Sequence, residues 1–359
     1  MPLMKFLILC LIISLNLYAD KTKKRIHALY IPLADHYAAL VAYEKYSSQM
    51  KHADFQITQM KNWDLLRAYF QSGEVDMAYV MTPLAIDMFN EKPDFRWIGL
   101  MHRDGNALAI NALLNKDVKL KDKRADRKPD AQVALALNKA YKEHHKPTQV
   151  GLPHLLSTHA VILYKYLKDH NSSISFIPNH KAAVLGISVA PPKAPAFIKI
   201  KSAKATPAAF EQSLPWADVV ETDGYGKVAW YSKDVMPWKY GHVECISLAT
   251  NEAIKNKFDA LKEVQYYLHK AGEDIEQAKE KGGKSLDEIV KIVRKHIPLH
   301  TAKAIKASLR YDLEVINYKH LNIDKPGLKL IMDYAIEGKV LKQGLDIDLF
   351  ADERFYIEL

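Results

Sequence analysis

The sequence has few of the residues and none of the common motifs that form metal, redox and nucleotide sites. Its 359 residues include only 2 cysteines and 14 glycines. They contain no Cys-x-x-Cys pair, no His-Glu-x-x-His helix, no Gly-x-Ser-x-Gly turn and no glycine-rich phosphate loop of the Gly-x-x-x-x-Gly-Lys type. We therefore predict a protein with no metal ligands, no catalytic residues, no cofactor and no enzymatic activity of its own.

A concentrated basic region is also missing, although the formal net charge is +9. Lysine and arginine alternate with aspartate and glutamate along the chain, and the densest basic run, residues 116–128, contains Asp117, Asp122 and Asp126. A nucleic-acid surface needs its positive charge on one face. The pattern indicates a solvated, lysine-rich surface, and no nucleic-acid partner is expected.

Long apolar runs are confined to the N-terminus. Residues 6–15 form such a run, but it is shorter than the roughly 20 residues that cross a bilayer. Lys5 precedes the run and Ala19 stands at a plausible cleavage position, so we predict a secretory signal over residues 1–19 and a periplasmic location. A signal anchor is one alternative. Attachment of a lipid to Cys10 is another, but Leu9 fits poorly before a lipidated cysteine.

Removal of residues 1–19 would leave Cys245 as the single cysteine. No intramolecular disulfide can then form, even in an oxidising compartment. Cys245 stands in an apolar, strand-like context, which predicts a buried and inert thiol.

The N-terminal third alternates between strand-like and helix-like segments. Short apolar or alternating runs predict strands at residues 26–31, 55–60 and 75–80. The helices that follow these strands are predicted to begin at the capping residues Asp35, Asn62 and Thr82. The second helix is expected to bury a face made of Leu65, Leu66, Tyr69 and Phe70. A β-α-β-α-β series requires crossovers, so the sheet is predicted to be parallel.

A second series follows the charged loop at residues 116–129. Strands are predicted at residues 149–152, 174–177 and 187–189, and Ser157 and Thr158 are predicted to cap a helix that carries His159. Residues 97–101 and 107–110 are expected to form a strand pair, and helices at about 251–269, 285–297 and 327–342 to complete the chain. The length and the pattern together predict two lobes of an α/β protein.

Polar side chains recur where the predicted strands end and the helices begin. They are Asp35, His36, Tyr37, Trp63, Thr82, Asn106, Ser157, Thr158 and His159. Unpaired N–H groups at helix N-termini favour anions, and open α/β sheets bind ligands at the carboxyl ends of their strands. We therefore predict that these residues line a ligand-binding cleft between the lobes.

Several of these segments resemble a known family, in the same order. They are residues 31–35 (Ile-Pro-Leu-Ala-Asp), the helix of Trp63, residues 72–78 (Ser-Gly-Glu-Val-Asp-Met-Ala), 81–84 (Met-Thr-Pro-Leu), 105–107 and 158–159. Over about residues 25–250 the chain is similar to the periplasmic substrate-binding proteins of ABC importers for nitrate and bicarbonate. Those proteins in turn resemble the sulfonate and thiamine-pyrimidine binding proteins.

The resemblance implies roles for particular residues. Trp63, Asn106 and His159 would supply an aromatic wall, an amide donor and an imidazole around a small anion. The chain departs from the family at residues 214–216, Leu-Pro-Trp, where members carry Glu-Pro-Trp, and residues 243–250 lack the lysine of the nitrate binders. Asp35 could repel an anion or receive a cationic group. The ligand therefore stays open among nitrate, bicarbonate, a sulfonate, another oxyanion and a pyrimidine.

The resemblance also implies an architecture and a function. The expected fold is α/β of the type II periplasmic binding protein kind, in which each lobe has a mostly parallel sheet flanked by helices. Lobe I is expected at residues 20–110 and 243–359, lobe II at 111–242, and a two-strand hinge near Asn111 and His242. The expected function is capture of a small anion or small organic solute, by a monomer, for an ABC permease and its ATPase.

Three other functions stay open. The chain could bind a pyrimidine or thiamine precursor. It could be a metal-dependent enzyme of pyrimidine synthesis, although the cysteine-rich motif of those relatives is missing. It could also be a sensory ectodomain that signals through a separate membrane protein.

Overall fold

The computed structural model describes residues 23–178 and 181–359. The predicted signal at residues 1–19, with Cys10, lies outside the described residues. Across the described ranges, no helix combines the length and the apolar character needed to cross a membrane.

Strands and helices alternate along most of the described chain. The strands are β1 (Lys24–Tyr30), β2 (Ala53–Gln59), β3 (Met77–Met81), β4 (Phe95–Leu100), β5 (Arg103–Asp104), β6 (Asn106–Asn111), β7 (Thr148–Leu152), β8 (Ile174–Ser175), β9 (Val184–Ser188), β10 (Ala208–Ser213), β11 (Gly226–Tyr231), β12 (Cys245–Thr250) and β13 (Ile316–Asn317). The α-helices are α1 (Tyr37–Tyr46), α2 (Trp63–Gln71), α3 (Thr82–Glu91), α4 (Ala112–Asn115), α5 (Ala131–His144), α6 (Thr158–Asp169), α7 (Ala194–Ala203), α8 (Trp216–Thr222), α9 (Ser232–Val235), α10 (Asn251–Lys281), α11 (Gly283–His296), α12 (Ala302–Ser308), α13 (Lys325–Glu337) and α14 (Ile347–Phe350). Short 3₁₀ helices lie at Ala34–His36, Ser47–Gln49, Arg124–Asp126, Pro191–Lys193, Tyr311–Leu313 and Glu353–Phe355.

The first sheet has the strand order β2-β1-β3-β12-β4. β1 runs parallel to β2 and β3, as the sequence predicts, whereas β12 runs antiparallel to β3 and β4. Helix α10 packs against α1, β1, β2 and β12. The residues of β3 are all buried, as expected for a strand covered on both faces of its sheet. The C-terminal part of the chain therefore completes the sheet that the N-terminal part begins.

The second sheet has the strand order β11-β6-β10-β7-β9-β8. β7 runs parallel to β9 and β10, and β6 runs antiparallel to β10 and β11. Helices α5, α6, α7 and α8 pack against this sheet. The two sheets with their flanking helices confirm the predicted α/β fold class. The expected boundary between the lobes, at residues 110 and 111, places most of β6 in lobe I. In the structure β6 belongs to the second sheet.

The chain passes between the two sheets through two segments that lie side by side. The first crossing segment is residues 101–105, between β4 and β6, and the second is residues 232–244, between β11 and β12. The backbone N–H of Asp104 donates to the carbonyl of His242 (3.1 Å), and the N–H of His242 donates to the Asp104 carboxyl (2.9 Å). The first crossing thus precedes the predicted hinge residue Asn111, which ends β6.

Arg103 fastens both crossing segments to the C-terminal part of the chain. Its side chain is 2% exposed. The guanidinium donates to the carbonyls of Gly241 and His320, each at 3.0 Å, and pairs with the Asp324 carboxyl at 2.8 Å. The indole N–H of Trp238 donates to the same carboxyl at 2.9 Å. Because hydrogen bonds between charged groups are the strongest in proteins, these contacts hold the crossing segments as one unit.

Two of the predicted helix caps are wrong. Asp35 lies inside the 3₁₀ helix Ala34–His36, and its carboxyl accepts a hydrogen bond from Ser213 at 2.7 Å. Thr82 is the first residue of α3, and its hydroxyl donates to the backbone carbonyl of Glu244 at 2.8 Å. A capping side chain accepts a backbone N–H of its own helix. The side chains of Asp35 and Thr82 bond instead to residues that are distant in sequence.

Helix α2 is capped as predicted but buries a narrower face. The side chain of Asn62 accepts the N–H of Leu65 at 2.9 Å. Trp63 and Phe70 are buried, whereas Leu65 is 39% and Tyr69 is 47% exposed. The buried stripe therefore runs from Trp63, at the first position of the helix, toward Phe70.

Gly241 in the second crossing segment is predicted to tolerate no side chain. Its φ of +93° is left-handed, and an added Cβ would overlap the Asp104 carboxyl. Gly73, at φ +80° with open space around it, is the control, since Gly73→Ala adds only backbone strain of about 1–2 kcal/mol. We expect urea unfolding to show a further loss of about 1–3 kcal/mol for Gly241→Ala because of the overlap. Equal losses for the two variants would contradict this packing.

Candidate functional site

Polar side chains from both sheets meet beside the crossing segments. The polar cluster is defined as Asp35, His36, Trp63, His102, Asn106, His159, Glu211, Ser213, Glu244 and Cys245. Trp63 is 1% exposed and the other members are 0% exposed. Many of their polar atoms have no hydrogen-bond partner among the described residues. Since each unpaired buried polar atom costs about 1–3 kcal/mol, the cluster is the candidate ligand site.

Asp35 links the two sheets at the centre of the cluster. Its Oδ2 atom accepts from the hydroxyl of Ser213 on β10, and lies 3.6 Å from Nε2 of His102 and 3.7 Å from Sγ of Cys245. The Oδ1 atom has no partner among the described residues. Burial raises the pKa of Asp35 to about 7, although the bond from Ser213 opposes this shift. The charge of Asp35 therefore depends on what lies next to it.

Glu244 makes a second link between the sheets. It stands just before β12, and the amide N–H of Asn106 at the start of β6 donates to its Oε2 atom at 2.9 Å. Nδ1 of His159, on α6, lies 3.5 Å from Oε1. Burial, followed by the neighbouring carboxyl of Asp35, raises the pKa of Glu244 well above its usual range, and the hydrogen bond from Asn106 opposes this. The protonated form is therefore favoured until a positive charge approaches.

Glu211 on β10 is a third buried carboxyl. Neither of its oxygens has a partner among the described residues. Burial raises the pKa of Glu211 well above its usual range, and the nearby carboxyls of Glu244 and Asp35 raise it further. No lysine or arginine belongs to the polar cluster, so its acidic groups lack a fixed positive counter-charge.

Burial favours the neutral form of the imidazoles in the cluster. Nδ1 of His36 lies 3.0 Å from both the N–H and the carbonyl of Ile31, and Nε2 is left without a partner. Burial lowers the pKa of His36 to about 4, and lowers the pKa values of His102 and His159 well below the usual range. Nε2 of His159 lies 2.9 Å from the hydroxyl of Ser213. Neutral imidazoles offer N–H donors, acceptors and metal-binding nitrogens.

Trp63 forms an aromatic wall of the cluster. Its ring meets the His36 ring edge to face, with centroids 6.1 Å apart and planes at 74°. The indole N–H has no partner among the described residues. Tyr79 lies on the other side of His36, with ring centroids 5.7 Å apart. The wall therefore combines apolar ring surface with a free N–H donor.

The structure brings together five of the nine predicted site residues. They are Asp35, His36, Trp63, Asn106 and His159. Thr158 borders the cluster, and its buried hydroxyl has no hydrogen-bond partner among the described residues. The junctions of both sheets thus face one another, as the open-sheet rule leads us to expect.

The other three predicted residues make structural hydrogen bonds. The hydroxyl of Tyr37 lies 2.9 Å from Nδ1 of His300. Thr82 donates to a backbone carbonyl, and Ser157 caps α6 by accepting the N–H of Ala160 at 3.1 Å. Each of these side chains already has one hydrogen-bond partner among the described residues, so only its remaining donor or acceptor capacity could serve a ligand.

Sequence reasoning missed half of the cluster. The missed members are His102, Glu211, Ser213, Glu244 and Cys245. They lie inside strands or in crossing segments, not at strand-to-helix junctions. A signal was nevertheless present, because residues 208–213 (Ala-Ala-Phe-Glu-Gln-Ser) and 243–246 (Val-Glu-Cys-Ile) place a glutamate within an apolar stretch. Charged residues are almost never fully buried unless they are paired or functional.

The fold is shared with solved binding proteins of ABC importers. The zinc-bound ligand-binding component of an ABC-type import system from Staphylococcus aureus matches with TM-score 0.71 and 18% identity, over 93% of this chain and 98% of that chain. The periplasmic nitrate-binding protein NrtA from Synechocystis PCC 6803 matches with TM-score 0.75 and 17% identity, over 93% and 87%. The alkanesulfonate-binding protein SsuA from Xanthomonas axonopodis pv. citri, bound to MOPS, matches with TM-score 0.62 and 10% identity, over 88% and 94%. At these identities the likeness establishes the fold.

A sequence-family model also matches. No curated protein matches the sequence. The model of the NMT1-like family covers residues 19–285, which is more than half of the 359 residues and includes the whole polar cluster. The chain belongs to the NMT1-like family and has the fold of the periplasmic solute-binding proteins of ABC importers.

Proposed function

We propose that the chain is the solute-binding component of an ABC importer. It captures a small solute in the polar cluster and delivers it to a permease and its ATPase, from the periplasm to which residues 1–19 direct it. The observation that supports this most is the set of unpaired, buried polar atoms that both sheets contribute to one place. A lobe around the first sheet and a lobe around the second would meet at the crossing segments.

Solute binding is coupled to closure of the two lobes. Because the cluster is buried, a solute enters only when the sheets separate. Opening breaks the hydrogen bond from Ser213 to Asp35 and that from Asn106 to Glu244, and closure restores both. A solute that contacts both lobes stabilises the closed form, which the permease then recognises.

The solute that the cluster favours is small and carries N–H donors or a positive charge. Asp35, Glu211 and Glu244 offer carboxyl oxygens, and both oxygens of Glu211 are unpaired among the described residues. A cationic or N–H-rich group would pair with these oxygens and recover the free energy lost in burying them. Trp63 offers a flat ring surface beside them. An aminopyrimidine has N–H donors for the carboxyl oxygens and a flat ring that can pack against Trp63.

A small anion is the second candidate. The unpaired indole N–H of Trp63, and Nε2 of His36 in the tautomer that carries its proton there, are donors of the kind that an oxyanion needs. The fold likeness to a nitrate-binding and a sulfonate-binding protein points the same way. Against it stand the buried carboxyls and the missing lysine in residues 243–250.

A thermal-shift panel on chelator-treated protein separates the two candidates. Aminopyrimidines and small amines form one arm, and nitrate, bicarbonate and alkanesulfonates form the other. We expect the first arm to raise the melting temperature, because a ligand of the folded form stabilises it in proportion to RT ln(1 + [L]/Kd). Stabilisation by the anions alone would reverse the choice of solute. No response in either arm, with unchanged X-ray scattering, would contradict the binding function.

Glu211→Gln provides a test whose outcome depends on the charge of the solute. The substitution keeps the shape of the side chain and removes its charge. For a cationic solute from the panel, calorimetry on chelator-treated protein should show affinity reduced about tenfold or more, which corresponds to about 1.4 kcal/mol. For an anion, affinity should change little, because burial already favours the protonated, uncharged form of Glu211. Glu74→Gln, at an exposed position, is the matched control and should change neither affinity.

Trp63 can be tested in two steps. Trp63→Ala should weaken solute binding by about tenfold or more, since it removes both the ring wall and the N–H donor. Loss of a buried tryptophan also costs about 3–5 kcal/mol of stability. Trp63→Phe therefore serves as the second variant, because it keeps a ring in place and removes the N–H. Calorimetry that shows wild-type affinity in a folded Trp63→Ala protein would remove Trp63 from the site.

A further inference from the structure

Asp35, His102 and Cys245 bring three metal-binding side chains together within the polar cluster. A carboxyl oxygen, an imidazole nitrogen and the thiol sulfur all lie within 4.8 Å of one another. The three residues come from the 3₁₀ helix after β1, the first crossing segment and the first position of β12. All three are 0% exposed.

The spacing of these atoms is close to that of a metal centre. Tetrahedral zinc, with bonds of about 2.0 Å to nitrogen or oxygen and 2.3 Å to sulfur, places ligand atoms about 3.3–3.5 Å apart. Oδ2 of Asp35 lies 3.6 Å from Nε2 of His102 and 3.7 Å from Sγ of Cys245. All three donor atoms lie within 4.8 Å of one another, so the remaining pair, His102 and Cys245, would have to approach by at most about 1.3 Å to reach this spacing.

The unpaired atoms at this place are an independent sign of a ligand. Neither ring nitrogen of His102 has a hydrogen-bond partner among the described residues, and Oδ1 of Asp35 has none. An imidazole with both nitrogens unpaired in a fully buried position is unusual, because buried polar groups are nearly always satisfied. A metal ion would satisfy one of these nitrogens and the carboxyl together.

We propose that Asp35, His102 and Cys245 bind one divalent transition-metal ion, with zinc as the preferred ion. Thiolate, imidazole and carboxylate form a donor set that suits zinc, whereas magnesium and calcium require oxygen ligands. The thiol of Cys245 loses its proton to solvent as the metal–sulfur bond forms. Three protein ligands leave a fourth coordination position for a water molecule or the solute.

The proposed site departs from the sequence-based expectation of no metal ligands. Positions 35, 102 and 245 are far apart in sequence and match no metal-binding spacing, so only the folded chain brings them together. The site does not depend on the importer function. The metal titration and the solute panel are separate measurements, so failure of one proposal can be told from failure of the other.

Cobalt binding to the mature chain, residues 20–359, tests the proposal without a variant. Metal-free protein is titrated with Co²⁺, whose thiolate complexes absorb by charge transfer in the near ultraviolet and whose tetrahedral complexes absorb strongly in the visible. We expect one equivalent to bind with both signatures, and Zn²⁺ to displace it. Binding without the charge-transfer band, or no binding, would overturn the proposal.

Cys245→Ser and His102→Gln test the ligands individually. In each we expect the affinity for Zn²⁺ to fall by at least about 100-fold, the upper end of what loss of an outer-shell partner costs. The control replaces the exposed pair His144 and His145 by glutamine and should leave the affinity unchanged. Circular dichroism monitors the folding of each variant. If a variant does not fold, the cobalt spectrum of the wild-type protein tests the site in its place. Wild-type affinity in folded Cys245→Ser, or loss of the site in the control, would refute the assignment.

Discussion

Three carboxyls buried together between the sheets, those of Asp35, Glu211 and Glu244, are the constraint on which the site depends. Burial raises the pKa values of all three, and neighbouring carboxyls raise those of Glu211 and Glu244 further. The hydrogen bonds from Ser213 to Asp35 and from Asn106 to Glu244 connect the two sheets, and each ends on one of these carboxyls. In the proposed closure, bringing the sheets together would also remove the carboxyls from water, and the free energy of closure would depend on what pairs with them.

The crossing segments determine which parts of the cluster move. His102 lies in the first segment, and Glu244 ends the second and leads directly into Cys245. Backbone pairing of Asp104 with His242, together with the contacts of Arg103, keeps these segments in register. If the lobes opened about the crossing segments, His102, Glu244 and Cys245 would shift little. The cluster residues on the second sheet would move farthest from the first sheet, so the contacts most distant from the crossing segments would break first.

The sequence predicted the local parts of the fold better than the long-range parts. The parallel β1-β2-β3 series follows from apolar runs and helix boundaries that lie within one third of the chain. β12 could not be placed this way, because it enters the first sheet from more than 140 residues farther along the chain. Asp35 illustrates the same limit within the site. Its position after β1 suggested a helix cap, but Ser213, a partner remote in sequence, determines its role.

A metal ion at Asp35, His102 and Cys245 would also explain why this chain can resemble nitrate binders without their lysine. The carboxylate and thiolate that bind a divalent cation at this place would neutralise its two positive charges, so the cation would act on an anion through its open coordination position and not through net charge. Its fourth coordination position would then attract an anion, whereas the metal-free cluster favours a cation or N–H donors. The preferred solute would therefore change with metal occupancy. Repeating the solute panel on zinc-loaded protein should exchange the responses of its two arms, and the same response with and without zinc would mean that the metal does not act on the solute.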